Sequence, residues 1–208
     1  RVVANSGLVL GIGGYSPASS LRVRMWTFNE AEDVASTAFL QNRLEQAVRA
    51  RENLLQRTTA RRLVFAEADG LPGLVVDQYD AWLVTQFQSA AVEVRREAIA
   101  SILMQLTGAK GVFDRSDAAT RQREGLAPHI GVLAGSNPPE RIEVVEDGVR
   151  YGVDVRKGHK TGFYIDQRES RLAVQRLARE FREKNSRGLR ALNCFCYTGG
   201  FSLALMAG

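Results

Sequence analysis

Hydrophobic positions along the chain change period several times, and each change marks the edge of a predicted element. Leu8–Ile12 is a continuous apolar run, and Gly13-Gly14-Tyr15-Ser16-Pro17 carries turn chemistry. Leu21–Trp26 then alternates apolar residues with arginine, predicting a strand with Leu21, Val23 and Met25 on one face and Arg22, Arg24 and Trp26 on the other. Asn29-Glu30-Ala31-Glu32-Asp33 sets a capping side chain and acidic groups ahead of a helical stretch. There Phe39, Leu40, Leu44, Ala47, Val48, Leu54 and Leu55 recur at helical spacing. A connecting helix ending near Leu55 follows, with Arg43, Arg49 and Arg51 in solvent.

A second module begins with strands over Arg62–Ala66, Leu74–Val76 and Trp82–Phe87. The turn chemistry of Gly70-Leu71-Pro72-Gly73 and Asp77-Gln78-Tyr79-Asp80 separates them. A helix over Ala91–Leu106 turns Val92, Ile99, Ile102, Leu103 and Leu106 inward and stops at Gly108. Gly111–Phe113 is a short strand, and Arg115–Gly125 is a charged irregular stretch. The order, strand-strand-helix-strand with a later strand, describes a small α+β unit.

Beyond the linker Gly135–Pro139, Ile142–Val145 and Val149–Val155 flank Glu146-Asp147-Gly148, an Asp-Gly hairpin signal. Lys157–Gly162 is a basic loop, and a helix over Ile165–Glu183 carries Leu172, Ala173, Leu177 and Phe181 as its apolar stripe. Ser186-Arg187-Gly188 resets the chain. Leu189–Phe195 then reads as the first parallel strand, followed by a Thr-Gly-Gly turn and a renewed apolar run. A doubly wound α/β domain opens in this way around a nucleotide.

Composition narrows the class. With 45% hydrophobic and 25% charged residues among 208, the chain is a globular protein and not a disordered one. A net charge of +5 suits a polyanion partner or simply an arginine-bearing solvated surface. No apolar run reaches membrane-spanning length, so no membrane partner is expected. The two cysteines, Cys194 and Cys196, form no disulfide framework and fit a reducing cytoplasm. The chain opens at Arg1, and both ends read as cuts in a longer protein.

The candidate chemistry gathers near the C-terminal turn. Asn193–Gly200 lacks the Gly-x-Gly-x-x-Gly spacing of dinucleotide sites and has no phosphate-cradling lysine motif. Fewer glycines fit a ligand without a pyrophosphate, and S-adenosylmethionine is such a ligand. Asn193 offers an amide to amino or carboxylate groups. Cys194 and Cys196 read as buried packing; the sharper alternative is a thiolate that adds at pyrimidine C6. With no histidine near them, no metal is expected. His129 and His159 stand alone and receive no acid–base role. Lys160 either binds a carboxylate or is solvated. Arg22 and Arg24 beside Trp26 either hold RNA phosphates and stack a base or form a polar face in water.

Gly158-His159-Lys160-Thr161-Gly162-Phe163-Tyr164-Ile165-Asp166-Gln167-Arg168 and Asn193-Cys194-Phe195-Cys196-Tyr197-Thr198-Gly199-Gly200-Phe201-Ser202 closely resemble the RlmI-type family. These are class I S-adenosylmethionine-dependent methyltransferases of large-subunit ribosomal RNA acting at cytosine C5. Glu67–Asp77 looks like the signature of that family's central domain, and Tyr15–Trp26 resembles the end of its N-terminal PUA domain. The resemblance implies a mixed α/β multidomain fold: a partial PUA β-barrel over residues 1–29, a linker helix and central α+β domain over 30–140, and the start of a Rossmann-like methyltransferase domain over 141–208. It also implies that Lys160, Thr161, Tyr164, Gln167 and Arg168 border the cofactor together with Asn193, Phe195, Tyr197, Gly199 and Gly200. The catalytic cysteine and the ribose-binding acid would follow Gly208, so this chain alone should transfer methyl groups negligibly.

The expected function is methylation of ribosomal RNA. Alternatives are a purine exocyclic-amine RNA methyltransferase and a non-catalytic RNA-binding protein with PUA and α+β modules. A nicotinamide-dependent oxidoreductase is disfavoured by the glycine spacing. A homodimer is left open.

Overall fold

The computed structural model describes every residue except Ala118 and Ser186, so the expected reset at Ser186 lies outside the described residues. The first strands, β1 (Val2–Val3), β2 (Val9–Tyr15) and β3 (Val23–Thr27), pair antiparallel in that order. Gly13 and Gly14, expected to turn the chain, lie inside β2, and the turn starts at Ser16. A Cβ on Gly14 would stand 2.7 Å from Trp26 Nε1, so this glycine serves close approach. The faces of β3 are also the reverse of the expected ones. Trp26 is buried, 6.0 Å from the Phe39 ring and 4.9 Å from the Arg95 guanidinium, while Leu21 and Val23 are exposed. The indole is the largest apolar group on the strand, and its burial decides which side packs.

Helix α1 (Thr37–Arg49) starts later than the acidic run suggested, because Ser36 is its cap and accepts from the Phe39 N–H at 3.2 Å. Asn29 and Asp33 close local turns instead, accepting from the N–H groups of Ala31 and Ala35. The helix stops at Arg49, and a 3₁₀ turn over Glu52–Gln56 follows. Arg43 and Arg51 are not free in solvent: Arg43 pairs with Glu32 at 3.1 Å, and Arg51 grips both oxygens of Asp69.

The central sheet runs in sequence order through β4 (Ala60–Phe65), β5 (Leu74–Tyr79), β6 (Trp82–Phe87), β7 (Gly111–Ser116) and β8 (His129–Gly135). All pairs are antiparallel except β6–β7, whose crossover carries α2 (Ala90–Glu93) and α3 (Arg96–Thr107). Three strands precede the crossover, one for each of the three predicted runs, so the expected order strand-strand-helix-strand lacks one of them. The single expected helix is broken at Val94 and Arg95, where Arg95 turns toward Trp26 and the Val34 carbonyl. Gly108 ends α3 in the left-handed conformation, as expected. Asp77, Gln78 and Tyr79, read as a turn, belong to β5, and only Asp80 bends the chain. The stretch expected to be irregular after Phe113 begins as the end of β7 and includes a short helix, α4 (Thr120–Arg123).

Both faces of this sheet are covered. Leu63, Val76, Leu83 and Val112 meet α1 and α3, while Tyr79, Val84 and Phe113 meet a hairpin, β9 (Ile142–Glu146) and β10 (Val149–Val153). Asp147 and Gly148 both have positive φ, the geometry the Asp-Gly pair predicts. Arg57 fastens the turn by a bidentate pair with Asp147 (2.9 and 2.9 Å).

Helix α5 (Arg168–Lys184) follows a 3₁₀ turn over Ile165–Gln167. Its buried residues are Arg168, Arg171, Gln175 and Ala178, and Leu177 of the expected stripe is exposed. The cause is Glu146, 2% exposed, which takes Arg171 at 2.7 and 3.0 Å and has Arg168 at 3.4 Å. Residues 189–195 form no strand. Among the described residues no strand lies beside them to complete a ladder, and Phe195 and Tyr197 adopt positive φ. Cys194 and Cys196 are consequently exposed, not buried. The last element is α6 (Gly200–Ala207).

Candidate functional site

The basic loop after β10 and the glycine turn before α6 come together. Tyr197 Oη accepts from the His159 N–H at 2.7 Å, and the His159 and Tyr197 rings stack at 4.2 Å between centroids. Tyr164 stands edge-on to Tyr197 at 5.7 Å. Between the two segments lies a hollow of about 230 Å³. Phe163, Tyr164, Gln167 and Arg171 line it from the loop and α5; Phe195, Cys196, Tyr197, Thr198, Gly200 and Phe201 line it from the other side.

The expected site residues divide into three groups. Tyr164, Gln167, Phe195, Tyr197 and Gly200 line the hollow. Lys160, Thr161, Arg168 and Gly199 adjoin it without lining it. Lys160 Nζ bonds both oxygens of Asp166 at 2.9 Å and sits 4.4 Å from the Tyr164 ring centroid. Burial pushes the Asp166 carboxyl up, but the Lys160 hydrogen bond and charge outweigh it and hold it below its ordinary value. Arg168 is buried and donates to the Ala60 carbonyl at 3.1 Å. Gly199, at φ +76°, precedes α6 in a conformation that favours glycine. Asn193 faces elsewhere: its amide donates to Ser202 Oγ at 2.8 Å, and it borders a separate hollow of about 390 Å³ with Ala178, Leu189, Leu205 and Met206.

Arg171 escaped the sequence reading. It lies four residues beyond Gln167 on one helix face, a spacing that could have found it. It also donates to the Tyr164 carbonyl at 2.9 Å and sits 4.4 Å from the Phe163 ring, tying the hollow to Glu146. Phe163 and Phe201 carry no sequence signal of their own, because nothing in a lone aromatic distinguishes core from lining.

At the other end of the chain, Arg24 is taken up by Glu67 at 3.1 Å and by the buried Glu124 at 3.4 Å. With Trp26 in the core, its indole is not free to stack a base beside Arg22 and Arg24, one of the two readings of this face. Arg22 is exposed and donates to Tyr15 Oη at 3.3 Å. Among the described residues no helix is long and apolar enough to cross a membrane, and no group of three or more His, Cys, Asp or Glu is placed to hold a metal.

The family model for S-adenosylmethionine-dependent methyltransferases matches residues 61–208. The chain belongs to this family. Among methyltransferases, it is 43% identical over 210 residues to Ribosomal RNA large subunit methyltransferase I of Photobacterium profundum, matching 100% of this chain and 51% of that protein. The protein of the same name from Shigella boydii serotype 18 is 41% identical over 209 residues, matching 100% of this chain and 50% of that one. The chain thus spans about half the length of the curated relatives it matches. A solved structure from Streptococcus mutans, described as a SAM-dependent methyltransferase, superposes with a TM-score of 0.78 at 21% identity, covering 99% of this chain and 51% of that one. A methyltransferase complexed with SAH gives 0.78 at 22% identity, covering 100% and 51%. Both share the mixed α/β fold.

Proposed function

We propose that this chain supplies the cofactor-receiving part of a methyltransferase that modifies large-subunit ribosomal RNA at cytosine C5 in the cytoplasm. The observation that carries the reading is the hollow shared by the Lys-Thr-Gly loop and the Tyr-Thr-Gly-Gly turn. The names of the relatives supply the RNA substrate.

The lining residues fit S-adenosylmethionine. Tyr164, Tyr197, Phe163 and Phe201 offer rings to a purine and to a sulfonium cation. The amide of Gln167 offers both donor and acceptor, and the start of α6 presents backbone N–H groups that suit a carboxylate. When bound, the cofactor supplies an electrophilic methyl group. The chain's part is to orient the ligand and to shield it from water between two aromatic walls. Lys160 acts at the edge, fixing Tyr164, and Arg168 acts from beneath. No catalytic role goes to Cys194 or Cys196, which stand on the cofactor side.

In the same reading residues 1–29 are part of a PUA RNA-binding barrel, 30–140 a linker helix and central domain, and 141–208 the opening of the methyltransferase domain. Arg22 is its RNA-facing arginine.

Calorimetric titration with S-adenosylhomocysteine, with NAD as the control, tests the cofactor. Binding of the first and not the second is expected, and binding of NAD alone would sink the reading. Mapping of ribosomal RNA methylation after gene deletion tests the substrate: one large-subunit cytosine mark should vanish, and an unchanged map removes the assignment.

A further inference from the structure

Thr161 is fully buried, and its hydroxyl is already engaged from below. Thr161 Oγ1 donates to Asp77 Oδ2 at 2.6 Å and accepts from Tyr79 Oη at 2.8 Å. Burial and the nearby Asp77 charge push the Tyr79 phenol far up, so it keeps its proton and serves as the donor. Asp77 is itself held by a bidentate pair with Arg62 at 2.8 and 3.0 Å. Asp77 and Tyr79 lie two apart on β5 and so share the sheet face that looks toward the hairpin.

The same face grips the loop a second time. Arg115 of β7 donates through Nη1 to the Val155 carbonyl at 2.6 Å, and through Nη2 to the Gly158 carbonyl at 3.3 Å. The loop is therefore pinned at Val155 and Gly158 on one side and at Thr161 on the other. Between these anchors stand His159, stacked on Tyr197, and Lys160, held at φ +56°.

We infer that Thr161 is a positioning residue and not a ligand contact: the central sheet, through Asp77, Tyr79 and Arg115, sets where the loop presents Tyr164 to the hollow and His159 to Tyr197. This rests on the cofactor reading above, and it makes the five-stranded sheet part of the cofactor site without touching the ligand. A buried donor and acceptor that both lose their partner would rather rearrange than stay unpaired, so removing one hydroxyl should move the loop.

The test compares Thr161→Val with Thr161→Ser in the full chain. Affinity for S-adenosylhomocysteine is read by calorimetry and amide exchange over residues 157–163 by mass spectrometry. Thr161→Val should weaken binding by about tenfold and speed exchange in the loop. Thr161→Ser, which keeps the hydroxyl, should stay within about twofold of wild type. Equal affinity and equal exchange for wild type and Thr161→Val would overturn the inference, and so would a serine variant as weak as the valine one. If Thr161→Val does not fold, Arg115→Lys carries the test. Lysine lacks the planar fork that holds the Val155 carbonyl from Nη1 and the Gly158 carbonyl from Nη2, so faster loop exchange and several-fold weaker binding are expected, and unchanged binding overturns the idea. A wild-type protein that ignores S-adenosylhomocysteine would instead remove the cofactor reading itself.

Discussion

Helices α3 and α5 both read from the sequence as amphipathic, each with an apolar stripe turned inward, and only α3 buries that stripe. Ile99, Ile102 and Leu103 of α3 pack against Leu83 and Val112 of the sheet. In α5 the buried side holds Arg168, Arg171 and Gln175, while Leu177 is 62% exposed. The surfaces they meet explain the contrast. An apolar sheet face accepts any apolar ridge, whereas a carboxylate sunk at Glu146 must be met by cations or remain uncompensated. Apolar periodicity therefore shows that a helix has two sides. It does not show which side is buried when a counter-charge waits on the neighbouring element.

The largest expected effect breaks the contrast at its source. Glu146→Ala strands two buried guanidinium groups and should cost about 3–5 kcal/mol in urea unfolding. A loss below about 1 kcal/mol would mean that α5 is seated by something else. Ile99→Val in α3 removes one methyl from an apolar contact and should cost about 1 kcal/mol by the same measurement.

Acid should separate the two regions further. Near α5, burial pushes the carboxyls of Asp154 and Asp166 up, but backbone N–H donors at Asp154 and Lys160 at Asp166 hold both below the ordinary 3.8. Between those depressed values and 3.8 the unfolded chain binds more protons, so this region loses stability as pH falls through that window. Near α3, burial pushes Asp114 above 3.8, so there the native form takes up the proton more readily. Amide exchange corrected for intrinsic rates, followed from about pH 5 to about pH 3, should show residues 154–166 opening before β7. The reverse order would refute the assignment. The smallest effect is Leu177→Ser, which should leave stability within about 0.5 kcal/mol of wild type, because the expected core position lies in water.

What the sequence made legible was chemistry complete within a few residues. The Asp147-Gly148 turn, the stop at Gly108 and the strands around Leu83 and Val112 needed no distant partner. The pairing of the Lys-Thr-Gly and Tyr-Thr-Gly-Gly segments was legible too, but through resemblance and not through periodicity. What stayed illegible depended on neighbours. Leu189–Phe195 has the apolar run of a strand without a described strand to bond with, so Cys194 and Cys196 lie open. Thr161, which the resemblance sets beside the cofactor, donates to Asp77, 84 residues earlier, a partner that no local pattern reveals. Arg24 and Trp26 read either as a nucleic-acid grip or as a face in water, and neither reading could show that Glu67, Glu124 and Phe39 would take them.

The seat of Trp26 gives the chain an optical gauge. An indole enclosed by Phe39 and Arg95 fluoresces at shorter wavelength than one in water, and Trp82, the other tryptophan, keeps part of its ring wet. Detaching β1–β3 from the central unit would redden the emission while the far-ultraviolet signal of the helices held steady. Docking of the leading sheet can thus be followed by light alone, with no label attached.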